Sequence, residues 1–438
     1  MDDDRPRPAD GPAADAPPAE RSWRDRLSDW LRDSVHDLEQ ELDEGWDRLT
    51  HRLGWAEPGS LQVYTGYANG RKVKLGCRVL AGRPGGGPKD DDGWWDNLLN
   101  SYRRWNTHEL EGVEVRCVFR GQTHSGVSDE EGYVWLEFAD RDDPGGYWQT
   151  ARFEVVDDGQ SGGGLADATV TAECGVVCPS RAAYGIISDM DDTVLFTGVT
   201  NLMTMAKLTF LGNARTRQPL AGVGALYRAL VSGGGTQAGG ARGAEATPEA
   251  AEDHARDRVD DDPVNPIFYV SSSPWNLHDL LHDFLEVNRI PPGPLRLRDL
   301  GVDEQKLIKT HGHGHKLVKA RQIMDDFPEL PFVLFGDSGQ ADAELYAQLA
   351  QRRAGQLRAI FIRDVDPGDE PDRDTAVLSH LNRAQAQGVP AMLIRDSTTA
   401  ARRLVELGLL RAEAVDEVAA EVDQDHRRPT AAEAAVHL

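Results

Sequence analysis

The chain has 438 residues, with 73 acidic against 48 basic side chains and a formal net charge of −25, a length suited to two or three domains. That balance argues against a general nucleic-acid binder, which would present a basic face, and against simple electrostatic adhesion to anionic lipid. With no run of about eighteen apolar residues, and a start ("MDDDRPRPADGPAADAPPAE") that lacks the features of a secretory signal, a soluble, cytoplasmic protein is expected.

Residues 1–21 are rich in Pro, Ala and Asp and are expected to be disordered. From Ser22, an N-cap residue type, Leu27, Leu31, Val35, Leu38, Leu42, Trp46, Leu49 and Leu53 recur every three or four positions. That spacing predicts one long amphipathic helix over residues 22–55. Its nine acids and five arginines are the wrong balance for an anionic surface, so docking on its own protein or on a second copy is favoured over membrane contact.

Residues 61–178 change texture to short alternating runs, among them "LQVYTGY", "KVKLGCRVL", "VEVRCVF" and "YVWLEF", parted by Gly-, Asp- and Pro-rich turns. The pattern predicts a β-sandwich-like domain, or a barrel, of six or seven strands. All four cysteines (Cys77, Cys117, Cys174 and Cys178) fall here without a C-x-x-C pair. They read as small buried residues in a reducing compartment, in preference to a zinc site built from Cys174, Cys178 and a histidine. No cluster in this stretch reads as catalytic, so its default role is support or recognition.

After Pro179 apolar strands appear ("YGIIS", "PIFYVS", "PFVLFGD", "LRAIFIRDV", "PAMLIRD") with helical stretches between them. Such alternation predicts a parallel, Rossmann-like α/β sheet over residues 180–410. Residues 232–263 interrupt it with a polar, Gly/Ala-rich insert expected to be disordered, and residues 411–438 form an acidic, Ala/Glu-rich tail with a loose helix.

Within "IISDMDDTVLFT" a buried strand ends in three carboxylates in four positions, Asp189, Asp191 and Asp192, a crowding that calls for a cation. Three more polar elements follow: Ser271 at the end of "FYVSSSPW", Lys316 at the start of "KLVKARQIM", and Asp337 with Asp342 in "FVLFGDSGQAD". In an open parallel sheet the C-terminal strand ends converge on one crevice, so these groups can meet there. Their types suit phosphoryl transfer. A carboxylate can attack phosphorus; a second, two residues on, can serve as acid and then base; a hydroxyl and a lysine can hold phosphoryl oxygens; and Mg²⁺ can screen the anions.

These four elements, in this order, resemble the motifs of the haloacid dehalogenase superfamily of phosphatases: D-x-D-x-T, strand-Ser, Lys, and G-D with a further Asp. The resemblance implies Asp189 as nucleophile, Asp191 as acid/base, and Ser271 and Lys316 as phosphate-binding residues. It also implies Mg²⁺ held by Asp189, the Asp191 carbonyl and Asp337, with Asp342 in support. Over about residues 180–365, "ISDMDDTVLFTGV", "YVSSSPWNL", "GHGHK" and "FPELPFVLFGDSGQADAELY" are similar to the catalytic domain of App1-type phosphatidate phosphatases. That family's activity implies Mg²⁺-dependent conversion of phosphatidate to diacylglycerol and peripheral contact with a membrane.

Neither the segment after the first motif nor that after "PLRLRDL" is long enough for a folded cap, which favours a large or interfacial substrate. The apolar stretch "LFTGVTNLMTMAKLTFLGN" is balanced between reaching into acyl chains and packing under the sheet. His311, His313 and His315 lack the one-faced spacing of a zinc site and read as a polar loop beside Lys316. Trp275 reads as a core plug. Asp192 and Thr193 are given local hydrogen bonding rather than chemistry. A phosphoprotein phosphatase with the same apparatus, and a non-catalytic scaffold, are the competing functions.

Overall fold

The computed structural model describes residues 60–80, 109–141, 145–156, 170–190, 220–233, 264–298, 314–339, 341–365 and 371–427, all within one compact unit spanning 57–438. The expected disordered start, the helix over 22–55, the apolar stretch 195–213 and all but the first two residues of the insert 232–263 lie outside the described residues, as do both segments read as too short for a cap except for their flanking ends.

Among the described residues the alternating sequence forms seven strands: β1 (Ser60–Ala68), β2 (Lys72–Leu80), β3 (Glu114–Phe119), β4 (Gln122–Val127), β5 (Tyr133–Ala139), β6 (Trp148–Val155) and β7 (Thr171–Val177). Here the sandwich expectation is corrected. The strands make one sheet in the order β4-β3-β6-β7-β1-β2-β5, because β1 pairs parallel with β7 at Gly66↔Val176 and Tyr67↔Val177 and joins two antiparallel groups. The sheet then rolls toward closure. His124 of edge strand β4 stacks on Phe138 of edge strand β5 with centroids 3.8 Å apart, and a side chain at Gly126 would lie 2.8 Å from Val134. Alternation along each strand is the same in a sandwich and a rolled sheet, so the pattern alone does not separate them. The interior holds Val73, Val115, Phe119, Phe153 and Val176 together with Cys77, Cys117, Cys174 and Cys178. None of the four cysteines forms a disulfide and all are buried, and burial pushes the Cys117 thiol up to about 12.

The second sheet is wholly parallel, with β8 (Gly185–Asp189), β9 (Ile267–Pro274), β10 (Leu295–Arg298), β11 (Phe332–Asp337), β12 (Leu357–Arg363) and β13 (Ala391–Ile394). Its order is β10-β9-β8-β11-β12-β13. Sequence order runs outward from β8 to one side and returns to its other side at β11, the doubly wound arrangement whose crevice opens between the first and fourth strands. All five residues of β8 and all six of β11 are buried, which accounts for their largely apolar character before the terminal acids, with Ser188 the one polar exception.

Among the described residues the helices are α1 (Val223–Val231), α2 (His278–Val287), α3 (Gly314–Asp326), α4 (Asp342–Arg353), α5 (Pro371–Gln385), α6 (Ser397–Glu406) and α7 (Ala414–Arg427). The segment expected as a loose acidic helix supplies α7, which is packed: Val418 and Val422 are buried in the core that also holds Leu226 and Leu230 of α1. Its acids serve α1 directly. Glu421 Oε1 accepts from Ala225 N at 2.7 Å and Asp425 Oδ2 from Gly222 N at 2.8 Å, so two amides at the start of α1 find carboxylates from another helix. The ends of the insert are pinned together where Val264 N and Asn265 N donate to Val231 O. That is the N-terminal side of β9, the opposite end of the strand from Ser271.

Candidate active site

The C-terminal ends of β8 and β11 flank the crevice and carry Asp189 and Asp337. Asp342, the first residue of α4, turns back on β11: its Oδ2 accepts from Asp337 N at 3.2 Å. One carboxylate oxygen from each of Asp189, Asp337 and Asp342 lies within 4.8 Å of the others. The close approach of α4 to β11 needs Gly336, where a Cβ would stand 2.7 Å from both Cβ and Oδ2 of Asp342 and 2.9 Å from the Tyr346 ring. Tyr346 in turn donates to Phe335 O at 3.0 Å, and burial pushes its phenol well above the usual range, with Asp342 and Asp189 adding to the shift.

Lys316 enters from the first turn of α3. Its Nζ is 2.5 Å from Asp189 Oδ1 and 3.7 Å from Asp342 Oδ1. Three carboxylates and one ammonium, none more than 4 % exposed, leave an excess of negative charge that a buried site must offset. Hard oxygen donors at this spacing fit a divalent cation such as Mg²⁺.

Ser271 lies one residue beyond Val270, the β9 residue registered with Asp189, and is fully buried. Its Oγ accepts from Ser273 N at 2.9 Å. The next residue, Ser272, hydrogen-bonds His315 Nε2 at 3.0 Å, which ties the end of β9 to the start of α3 one residue from Lys316. Met190 N donates to Val270 O at 2.9 Å and prolongs the β8–β9 pairing past Asp189. Behind the site Ser188 Oγ meets Tyr227 OH of α1 at 2.8 Å.

Asp189, Lys316, Asp337 and Asp342 are thus brought together, with Ser271 at the adjoining strand end. Asp191, Asp192, Thr193, His311 and His313 lie outside the described residues. Two features escaped the sequence reading. Lys319, not assigned a phosphate-binding role from the sequence, is also buried on α3; its spacing of three from Lys316 was the available signal. Ser338 fixes the turn after β11, its N donating to Arg363 O at 2.8 Å and its Oγ accepting from Val365 N at 3.1 Å. Trp275 is 6 % exposed, packed between Tyr64 and Trp135.

Fold and site together define a doubly wound α/β protein with an acidic, cation-competent centre at its switch point. Residues 184–364 match the family described as phosphatidate phosphatase APP1, catalytic domain. The chain is 30 % identical over 227 residues to phosphatidate phosphatase APP1 of Saccharomyces cerevisiae, covering 51 % of this chain and 33 % of that protein. It is 25 % identical over 186 residues to an uncharacterized protein of Schizosaccharomyces pombe, covering 42 % of this chain and 26 % of that one. The chain therefore spans about a third or less of the length of these curated relatives. A minor pilin, PilB of Streptococcus sanguinis, aligns at 7 % identity over 73 % of this chain and 87 % of that one, but with a TM-score of 0.23 it carries no fold assignment.

Proposed function

We propose that the chain is a Mg²⁺-dependent phosphatase of the haloacid dehalogenase type that hydrolyses a phosphomonoester through an aspartyl-phosphate on Asp189. The substrate proposed is phosphatidate, converted to diacylglycerol at a membrane surface by a cytoplasmic protein in peripheral contact. The carrying observation is the buried constellation of Asp189, Asp337 and Asp342 with Lys316 Nζ 2.5 Å from Asp189 Oδ1. The choice of phosphatidate leans on the family match over residues 184–364.

In this reading Asp189 Oδ attacks phosphorus, the ester P–O bond breaks, and Asp191 gives its proton to the departing alkoxide. Asp191, now a carboxylate, takes a proton from water as that water attacks phosphorus; the P–O bond to Asp189 breaks and inorganic phosphate leaves. Lys316 and Ser271 hold the phosphoryl oxygens, and Lys316 offsets the charge of the nucleophile. Asp189, the Asp191 carbonyl and Asp337, supported by Asp342, would hold Mg²⁺, which supplies charge neutralisation between two anions. His315 holds the Ser272 hydroxyl and so keeps the two phosphate-binding elements in register. Among the described residues no helix is long and apolar enough to cross a membrane, which fits a substrate met at the surface.

The test is phosphate release from phosphatidate in mixed micelles, from an aryl phosphate and from a phosphopeptide, each with and without Mg²⁺, alongside Asp189→Asn. Mg²⁺-dependent turnover that favours the lipid and vanishes in the variant is expected. Turnover of the phosphopeptide with phosphatidate untouched would keep the chemistry and replace the substrate. No turnover of any ester would leave the scaffold reading in its place.

A further inference from the structure

The first sheet meets the α/β half along β1, and an irregularity in that strand decides how. Tyr64 pairs with Gly76 and Tyr67 with Lys74, so three steps along β1 match two along β2. Residues three apart on a regular strand lie on opposite faces; the extra residue of a bulge returns them to one. Both tyrosines accordingly reach the α/β half. Tyr64 packs on Trp275 and His278 with centroids 4.7 and 4.5 Å away. Tyr67 packs on Phe268 and Phe327 at 5.5 and 5.6 Å. The bulge requires Gly66, where a Cβ would lie 2.4 Å from Leu75 Cδ2 and 2.6 Å from Lys74 O.

The elements so gripped are the ones that carry the phosphate-binding pair. Phe268 belongs to β9, which leads to Ser271, and Phe327 directly follows α3, which begins beside Lys316. At the far end of α3, three residues of the β1–β2 hairpin converge on Asp326. Tyr67 OH donates to its Oδ2 at 2.6 Å, Lys74 Nζ pairs with the same oxygen at 2.8 Å, and Asn69 Nδ2 donates to its carbonyl at 2.5 Å. The Asp326 side chain is only 8 % exposed, so these charge-assisted bonds are partly shielded from water. Burial holds the Tyr67 phenol well above its usual range, with Arg296 opposing and Asp326 adding, so it remains a donor. From the α/β side Gln356 Nε2 donates to the carbonyls of Met324, Phe327 and Leu330 at 2.8, 2.9 and 3.3 Å. The C-terminal end of α3 is thereby clamped from both halves.

Helix α3 is a stiff rod, and Lys316 stands about 15 Å along it from Asp326. A pivot of about 4° at the clamped end moves the lysine by about 1 Å, a displacement able to cost up to about a hundredfold in rate. We propose that the β1–β2 hairpin is a positioning device for the phosphate-binding groups, acting through Asp326 on Lys316, with Tyr67, Asn69 and Lys74 as its grip. This deepens the phosphatase reading and rests on it for the role of Lys316. It gives the first sheet a task inside the reaction rather than only a partner to recruit.

The test compares Asp326→Asn and Tyr67→Phe in the full chain, each alone and with Lys316→Ala, at a temperature where all are folded. Two quantities are read: kcat/KM for the ester that the wild type turns over, and the affinity for inorganic phosphate by calorimetry. Both variants are expected to lose about tenfold in kcat/KM and to bind phosphate more weakly, yet to add less than about twofold when Lys316 is already alanine. Arg116→Met, which breaks the Arg116–Glu154 pair of 2.7 Å within the first sheet, is expected to leave both quantities unchanged. Latch variants that fold and keep wild-type values overturn the proposal, and so do losses that add in full to Lys316→Ala. Should Asp326→Asn not fold, Tyr67→Phe, which deletes a single oxygen, decides by the same criteria. A failure of the phosphatase reading looks different: no ester is turned over, while phosphate affinity still falls in the latch variants and does so only through Lys316. A wild type that binds no phosphate overturns both.

Discussion

Lys316 Nζ and Asp189 Oδ1 stand 2.5 Å apart with both side chains shielded from solvent, although they lie 127 positions apart in the sequence. The lysine arrives on the first turn of a helix and the aspartate on the last residue of a strand, so each is fixed by backbone rather than by a flexible stem. Lys316→Ala is expected to lower kcat/KM about 10²- to 10³-fold, the usual cost of removing one preorganised charge-stabilising donor. Lys316→Arg should not restore it, because the planar guanidinium differs in size and geometry from an ammonium. Steady-state phosphate release decides; a loss under about threefold for Lys316→Ala would remove the lysine from the reaction.

Gly336 supports the metal-competent acids without contributing an atom to them. A methyl group there would fall 2.7 Å from Asp342 Oδ2 and 2.9 Å from the Tyr346 ring, and neither partner has free space in a buried cluster. Gly336→Ala is expected to displace Asp342 from Asp337, to raise the Mg²⁺ concentration needed for half-maximal activity at least about tenfold, and to cost about 1–3 kcal/mol of stability. A Mg²⁺ titration of activity with thermal unfolding alongside reads both. Unchanged Mg²⁺ dependence with normal stability would mean that Asp342 does not hold the cation.

The two halves of the fold differed in how openly the sequence displayed them. Strands β8 and β11 were legible because a run buried on both faces is largely apolar and then stops at an acid, a pattern few other elements share. The rolled first sheet was legible as strands but not as a single sheet. Its closure depends on the parallel pair Gly66↔Val176 and on the edge contact of His124 with Phe138, and no local periodicity encodes either. The clamp on Asp326 was hidden for the same reason: Tyr67 and Asp326 are 259 positions apart, and an aspartate ending a helix is unremarkable by itself. What "VYTGY" offered was a glycine inside a strand, the usual mark of a bulge.

Helix α1 lacks a side-chain cap of its own, its N-cap residue being Gly222 with φ 74°. Glu421 of α7 replaces one, accepting from Ala225 N at 2.7 Å while its other oxygen accepts from Arg228 Nη2 at 2.5 Å. Glu421→Ala is expected to cost about 1–2 kcal/mol in unfolding free energy, within the range for losing a capping carboxylate. Activity should be unaffected at temperatures where the protein is folded. A truncation ending before α7 should lose more, because Val418 and Val422 leave the core with it. Urea unfolding of Glu421→Ala at wild-type stability would show that the amides of α1 are served equally well by water.

His278 makes stability depend on pH in a defined direction. It lies buried against Tyr64 and Trp275, and burial pulls its imidazole below the ordinary value; Asp279 and Asp283 oppose that shift and His282 adds to it. The folded protein therefore holds a neutral ring, while the unfolded chain protonates the same ring near about pH 6.5. Above that value neither state binds the proton and the contribution is flat. Below it the unfolded state binds more protons than the folded one, so stability falls as pH drops, until the folded ring also protonates. The difference in unfolding free energy between wild type and His278→Phe should be constant from about pH 7 to 8 and should shift against the wild type as pH falls from about 6.5 to 5. A difference that stays level across that whole range would mean that His278 titrates alike in both states, and that its packing against Tyr64 does not keep it dry.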